Sequence, residues 1–174
     1  MNIESSKERK YRVTNLTNRM NQEIIVHSHL IDGLNFLIET IRKFDGKVAN
    51  ARIVNSIDKS TVPHNMTISY TPHSITICNH NNRYYTKADN TSDSIHCFRH
   101  TIQLSVNSEN RLQAGKTVDT IKLAIQNQKS EIKSLRKDIN SFDDEDKDYK
   151  AIRVLVEAYN KKYNYPLKRH ITMS

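Results

Sequence analysis

Seven side chains able to ligate a metal or carry a proton crowd the middle of this 174-residue chain: His64, His73, His80, His96 and His100, with Cys78 and Cys97. A structural zinc needs four convergent ligands, usually as closely spaced pairs such as Cys-x2-Cys. If the region is β, Cys78 and His80 share one strand face, while Cys97 has the opposite parity to its neighbours His96 and His100. Cys78, His80 and Cys97 are then three candidate ligands without a standard spacing, so no metal and no other cofactor is expected. Catalysis would need a His beside a Ser or Cys nucleophile, or two facing carboxylates. His96 and Cys97 are adjacent, which on a strand points them to opposite faces. His170-Ile171-Thr172 resembles one half of a paired His-x-Thr phosphoesterase motif, and the chain has no second copy. The glycines, at 33, 46 and 115, lie too far apart to cradle a phosphate. The reading is a non-enzymatic protein, with a hydrolase built on the central histidines as the residual catalytic alternative.

A second chemistry sits at the two ends. Lys10, Tyr11 and Arg12 lie near the start, and Lys161, Lys162, Tyr163, Tyr165, Lys168 and Arg169 near the finish. Cations can neutralise phosphates while tyrosine rings stack on bases, a pairing used by non-specific single-strand binders. The bland reading of the same residues is a helix end with dipole-complementing lysines followed by a solvated tail. Charge supports the first reading weakly: the net +8 comes from residues 1–60 and 111–174, and residues 61–110 are neutral. Such an excess suits nucleic acid or an acidic protein, and also plain solubility.

Several elements must position these groups. Residues 1–16 read as a mobile basic arm. A helix is predicted from about 18 to 44, because Leu30, Leu34, Leu37, Ile41 and Phe44 recur at spacings of four and three, with Gly46 placed as a C-cap. Val48, Ala51, Val54 and Ile57 favour a short helix over about 48–59. From Met66 the period becomes two, predicting strands near 66–71, 74–79, 83–87 and 95–105, the first two joined by a turn at Thr71-Pro72-His73-Ser74. Met66, Ile68, Tyr70, Phe98, Ile102 and Leu104 would face the core.

The clearest pattern is in the last third. Val118, Ile121, Ile125, Gln128, Ile132, Leu135, Ile139 and Phe142 alternate three and four, and Tyr149, Ile152, Val156, Tyr159 and Tyr163 resume a stripe after the acidic run Asp143-Asp144-Glu145-Asp146. Read as a break, that run gives helices over 117–142 and 145–163, an antiparallel hairpin whose second helix starts on four acids and ends on Lys161 and Lys162. The long stripe with its internal polar Gln128 also suits pairing with another subunit, so a homo-oligomer is expected. The fold class is α+β: an N-terminal long helix, a small antiparallel sheet in the middle, and a C-terminal helical hairpin. A single domain over 17–165 with a basic tail at 166–174 is expected at this length.

At 36% hydrophobic and 26% charged the composition is globular. No uninterrupted apolar run approaches the roughly 18 residues of a membrane span, and the first residues lack a signal-peptide pattern, so no membrane and a cytoplasmic location are expected. Two cysteines do not make a disulfide framework. Eighteen Asn and nineteen Ile against three Gly and three Pro reflect an AT-rich coding sequence.

The segment from Lys43 to Ile57 (KFDGKVANARIVNSI) and the stretch from Asp148 to Arg169, with Tyr159-Asn160 and Tyr165-Pro166-Leu167, resemble short proteins carried by bacteriophages and mobile elements of AT-rich bacteria. The likeness covers about a quarter of the chain and carries over no functional residues. It implies a binding protein acting in the cytoplasm of a host cell. Two readings follow: a binder of nucleic acid through its basic ends, or an inhibitor that occupies a host protein or a small anionic ligand with the neutral, histidine-bearing sheet.

Overall fold

The computed structural model describes residues 3–44, 49–71, 74–88, 92–105 and 114–163. It is an α+β protein with a long N-terminal helix, a three-stranded antiparallel sheet and a long C-terminal helix. The first helix, α1 (Ser6–Arg42), starts twelve residues earlier than the periodicity suggested. The basic arm is therefore helix from Ser6 onward. Its start is a capping box: the Glu8 N–H donates to Ser5 Oγ, and the Ser5 N–H donates back to Glu8 Oε2, both at 3.1 Å. No Gly or Pro interrupts the run to Asp32. The inward face continues the stripe in both directions, through Arg9, Val13, Leu16, Met20, Glu23, His27, Leu30, Leu34, Leu37 and Ile41, all buried or half-buried. By length and composition α1 could cross a membrane, a property that the search for uninterrupted runs missed, and 50% of its apolar window is buried in the protein.

The predicted C-terminal hairpin is instead one uninterrupted helix, α3 (Ala114–Lys162), 49 residues long. The acidic run holds no Gly or Pro, so nothing in the backbone stops the helix there. Its charges are answered locally by Lys147 on Asp144 and Lys150 on Asp146, and by arginines of α1. The stripe also continues unbroken: after Phe142 the positions that are not exposed are Asp146, Tyr149, Arg153, Val156, Glu157 and Asn160. Ile152 and Tyr159, assigned to the buried face from the sequence, are 51% and 37% exposed. Chain apolarity misled here, because the inward positions are partly polar.

Four expected strands merge into three. β1 (Thr67–Thr71) pairs with β2 (Ser74–Ala88), and β2 pairs with β3 (Ser92–Ser105), in the order β1-β2-β3. The strands predicted at 74–79 and 83–87 are one strand, with a register irregularity between Asn79 and Asn82 where two had been placed. Rows cross the sheet on its core face, Tyr70 beside Ile75 beside Leu104, and Ile68 beside Ile77 beside Ile102. The core assignment of Phe98, and the Pro72-His73 turn, fall outside the residues and side chains described.

The short helix is α2 (Asn50–Ser56), followed by single 3-10 turns at Lys59–Thr61 and Pro63–Asn65. Asp58 caps the first turn by accepting the Ser60 N–H at 3.0 Å. In the second, His64 and Asn65 both have positive φ, 57° and 55°. The expected helix to residue 59 ends early because Ile57 is already extended.

The chain divides into two compact units, residues 22–133 and residues 1–21 with 134–174. The first holds the sheet and the main apolar cluster: Leu30, Leu34, Leu37 and Ile41 of α1, Ile53 of α2, Ile75 and Ile77 of β2, and Val118, Ile121 and Ile125 of α3. In this unit Gln128 meets His27, whose Nδ1 lies 2.5 Å from Gln128 Oε1. The polar position that suggested an intersubunit seam is thus answered within the chain. The second unit contains the polar contacts described next.

Candidate functional site

Of the early basic residues, the two arginines nearest the acidic run are consumed by it. Arg9 is 6% exposed, with Nη1 donating to Asp146 Oδ1 at 3.2 Å and Nη2 to the Phe142 carbonyl at 3.5 Å, while its guanidinium stands 5.2 Å from the Tyr149 ring centre. Arg12 donates to both Glu4 oxygens, at 3.0 and 3.3 Å, and to Glu145 at 2.9 Å. Its pKa is raised, first by the hydrogen bond to Glu4 and then by that to Glu145. The Tyr149 hydroxyl donates to the Glu4 carbonyl and closes the network. Asp146 is held below the usual carboxylate range, chiefly by Lys150. A guanidinium already bridged to two carboxylates has little charge left for a phosphate. Arg12, expected from the sequence to contact an anion, is engaged here by two carboxylates of the chain, while Lys10 and Tyr11 are exposed.

At the other end, Lys161 and Lys162 close α3 as exposed side chains, and Tyr163, 54% exposed, stacks obliquely on Tyr159 with ring centres 4.7 Å apart. The Lys162 ammonium lies 5.4 Å from the Tyr163 ring centre. Tyr165, Lys168 and Arg169 lie outside the described residues. Among the described residues, the cations of the two ends stand apart. Glu145, which holds Arg12, precedes Lys161 by sixteen residues, roughly 24 Å along the helix.

Sheet register also separates the candidate metal ligands. Cys78 pairs with Thr101, whose hydroxyl donates to its sulfur at 3.2 Å, while Cys97 pairs with Arg83. The β2 partner of Cys97 therefore lies five residues beyond Cys78, about 17 Å of strand. His80 stands on β2 near Cys78, with its side chain outside the description. Among the described residues no three His, Cys, Asp or Glu groups are placed to hold a metal ion.

Three arrangements arise that the sequence reading passed over. His29 and Asp32, one helical turn apart on α1, meet His64 of the positive-φ turn: the imidazoles stack 3.6 Å apart at 13°, and His64 Nε2 lies 2.7 Å from Asp32 Oδ2. Burial first, and the neighbouring His64 second, push the His29 pKa below its ordinary value. A cavity of about 490 Å³ runs beside β1, lined by Val54, Ile57, Val62, Met66, Ile68 and Tyr70 among others. Finally, Lys122, Lys129 and Lys133 share one flank of α3 at spacings of seven and four, all exposed and in no ion pair among the described residues. That spacing was visible in the sequence, but lysines between stripe positions look like ordinary solvated residues until the helix is known to be continuous.

No protein-family model matches this chain, and no curated protein or solved structure is similar to it.

Proposed function

We propose that this is a non-enzymatic binding protein whose ligand is nucleic acid, held by the exposed basic residues of α3. The observation that carries the reading is the contrast in how the cations are used. Arg9, Arg12, Lys147, Lys150 and Arg153 are spent on carboxylates of their own unit. Lys122, Lys129 and Lys133 are spent on nothing described, and they span eleven residues of one helix flank, about 16 Å or roughly five nucleotide rises. The role fits the phage-type character that the resemblance implied, and a cytoplasmic location with no cofactor is part of the same proposal.

Fluorescence anisotropy with labelled single- and double-stranded oligonucleotides tests it. Three phosphate contacts give a log–log salt slope near −2.7, roughly a fortyfold loss of affinity between 50 and 200 mM salt. The variant with Lys122, Lys129 and Lys133 changed to Glu is expected to lose that slope while keeping its melting curve. Equal binding by both forms, or none at low salt, refutes the reading.

The second reading is an inhibitor of a host protein, favoured by the groove beside β1. An edge strand next to an apolar cavity accepts an extended peptide by strand addition. Such an interface would be insensitive to salt and to the lysine changes.

A further inference from the structure

The last third of α3 carries an exposed apolar face that no described residue covers. Ile152 and Leu155 are 51% and 70% exposed, and Ala151, Ala158 and Tyr159 on the same flank are exposed too, while Val154, 65% exposed, points to another side. At about 100° per residue this face is centred on Leu155, about 130° around the helix from the mean direction of Tyr149, Arg153, Val156 and Asn160, with Ile152 at its border beside Val156. Scattered exposed apolar residues need no explanation, but a contiguous apolar face on a helix does.

The order of residues around Leu155 says what fits there. Counting outward by equal steps, Ile152 mirrors Ala158, Ala151 mirrors Tyr159, and Asp148 mirrors Lys162. Each pair joins a large side chain to a small one, or an acid to a base. We propose that this face is a homodimer contact in which a second copy packs antiparallel about a twofold axis at Leu155. Leu155 then meets Leu155 of the partner subunit, the bulk of Ile152 and Tyr159 enters the spaces left by the alanines, and Asp148 faces Lys162 at both ends. An isologous contact requires this self-complementarity. A parallel pairing fails the same test, since it sets Asp148 against Asp148, Lys162 against Lys162 and the two Tyr159 rings together. The contact is separate from the stripe that first suggested an oligomer, whose polar position Gln128 is met by His27 of α1. It is also separate from the lysine flank of the proposed function.

Sedimentation velocity of the full chain from low to high micromolar concentration tests the proposal. The parent protein is expected to shift from monomer to dimer over that range. Leu155→Glu places two carboxylates at the axis and removes packing on both sides, raising the dissociation constant at least about a hundredfold. Because Leu155 is mostly exposed, circular dichroism and the melting curve of that variant stay those of the parent monomer. Asp148→Lys and Lys162→Asp, each alone, oppose like charges and weaken the dimer several-fold, and the two together restore it. A chain that stays monomeric at high micromolar concentration overturns the proposal, and so does a dimer indifferent to Leu155→Glu. Failure of the double charge exchange to restore what the single changes lost refutes the antiparallel register.

Discussion

Gly33 stands in the middle of α1, where a glycine ordinarily weakens a helix, and its replacement by Ala sets two effects of similar size against each other. An alanine in a helix interior is favoured over glycine by about 0.5–1 kcal/mol. A Cβ at this position, however, would lie 2.5 Å from Met66 Cε and 3.3 Å from Met66 Sδ, with Ile77 Cγ2 at an ordinary 3.6 Å. Met66 is 4% exposed, so its terminal methyl must move within filled space. Overpacking of a buried site costs about 1–3 kcal/mol, so Gly33→Ala is expected to destabilise by roughly 1 kcal/mol net. The decisive comparison is made in a Met66→Ala background, which itself costs about 2–5 kcal/mol. There the clashing atoms are gone and the new methyl occupies part of the vacated volume. Gly33→Ala should then stabilise by about 0.5–1 kcal/mol, giving a coupling of roughly 2 kcal/mol between the sites. Urea melts of the four proteins measure it. The same sign and size for Gly33→Ala in both backgrounds would refute the claim that contact with Met66 fixes the glycine.

Three further outcomes are expected. Ser5→Ala removes one half of the capping box and should lower stability by about 0.5–2 kcal/mol in thermal melts, with Ser5→Asp retaining most of it. Ile125→Ala should cost about 2–5 kcal/mol in denaturant melts, while Leu123→Ala, two residues away and 64% exposed, should stay within about half a kilocalorie. The folded-state pKa of His29 lies below the ordinary 6.5, so the unfolded chain binds its proton more readily. The stability that His29 contributes is thus present above about pH 6.5 and lost as pH falls through the folded value, and His29→Gln should flatten that acid-side loss in urea melts at a series of pH values.

The sequence by itself determined the α+β class, the region of each strand and the inward face of both long helices wherever that face is apolar. Leu30, Leu34, Leu37, Val118, Ile121 and Ile125 were legible because a buried apolar position leaves a period that local chemistry alone produces. The strand rows Ile68–Ile77–Ile102 and Tyr70–Ile75–Leu104 were legible in the same way, through their period of two. The sites were less so. Lysine and tyrosine near the ends are recognisable as residue types, but whether a cation is available depends on which carboxylate reaches it.

The tertiary structure decided what polar residues do. Arg9 and Arg12 read as an accessible basic arm, and the acids 143–146 read as a helix start, until the fold set one against the other across 133 or more residues of chain. No local pattern encodes that pairing, because each group alone is compatible with solvent. His29, Asp32 and His64 met for the same reason, a turn with two positive-φ residues returning His64 to α1 from thirty-two positions away. Local sequence specifies periodicity and termination, since those depend on neighbours within a turn or two. Charge pairing, ring stacking and the division of α3 into buried and open faces depend on partners that only the folded chain brings within about 4 Å.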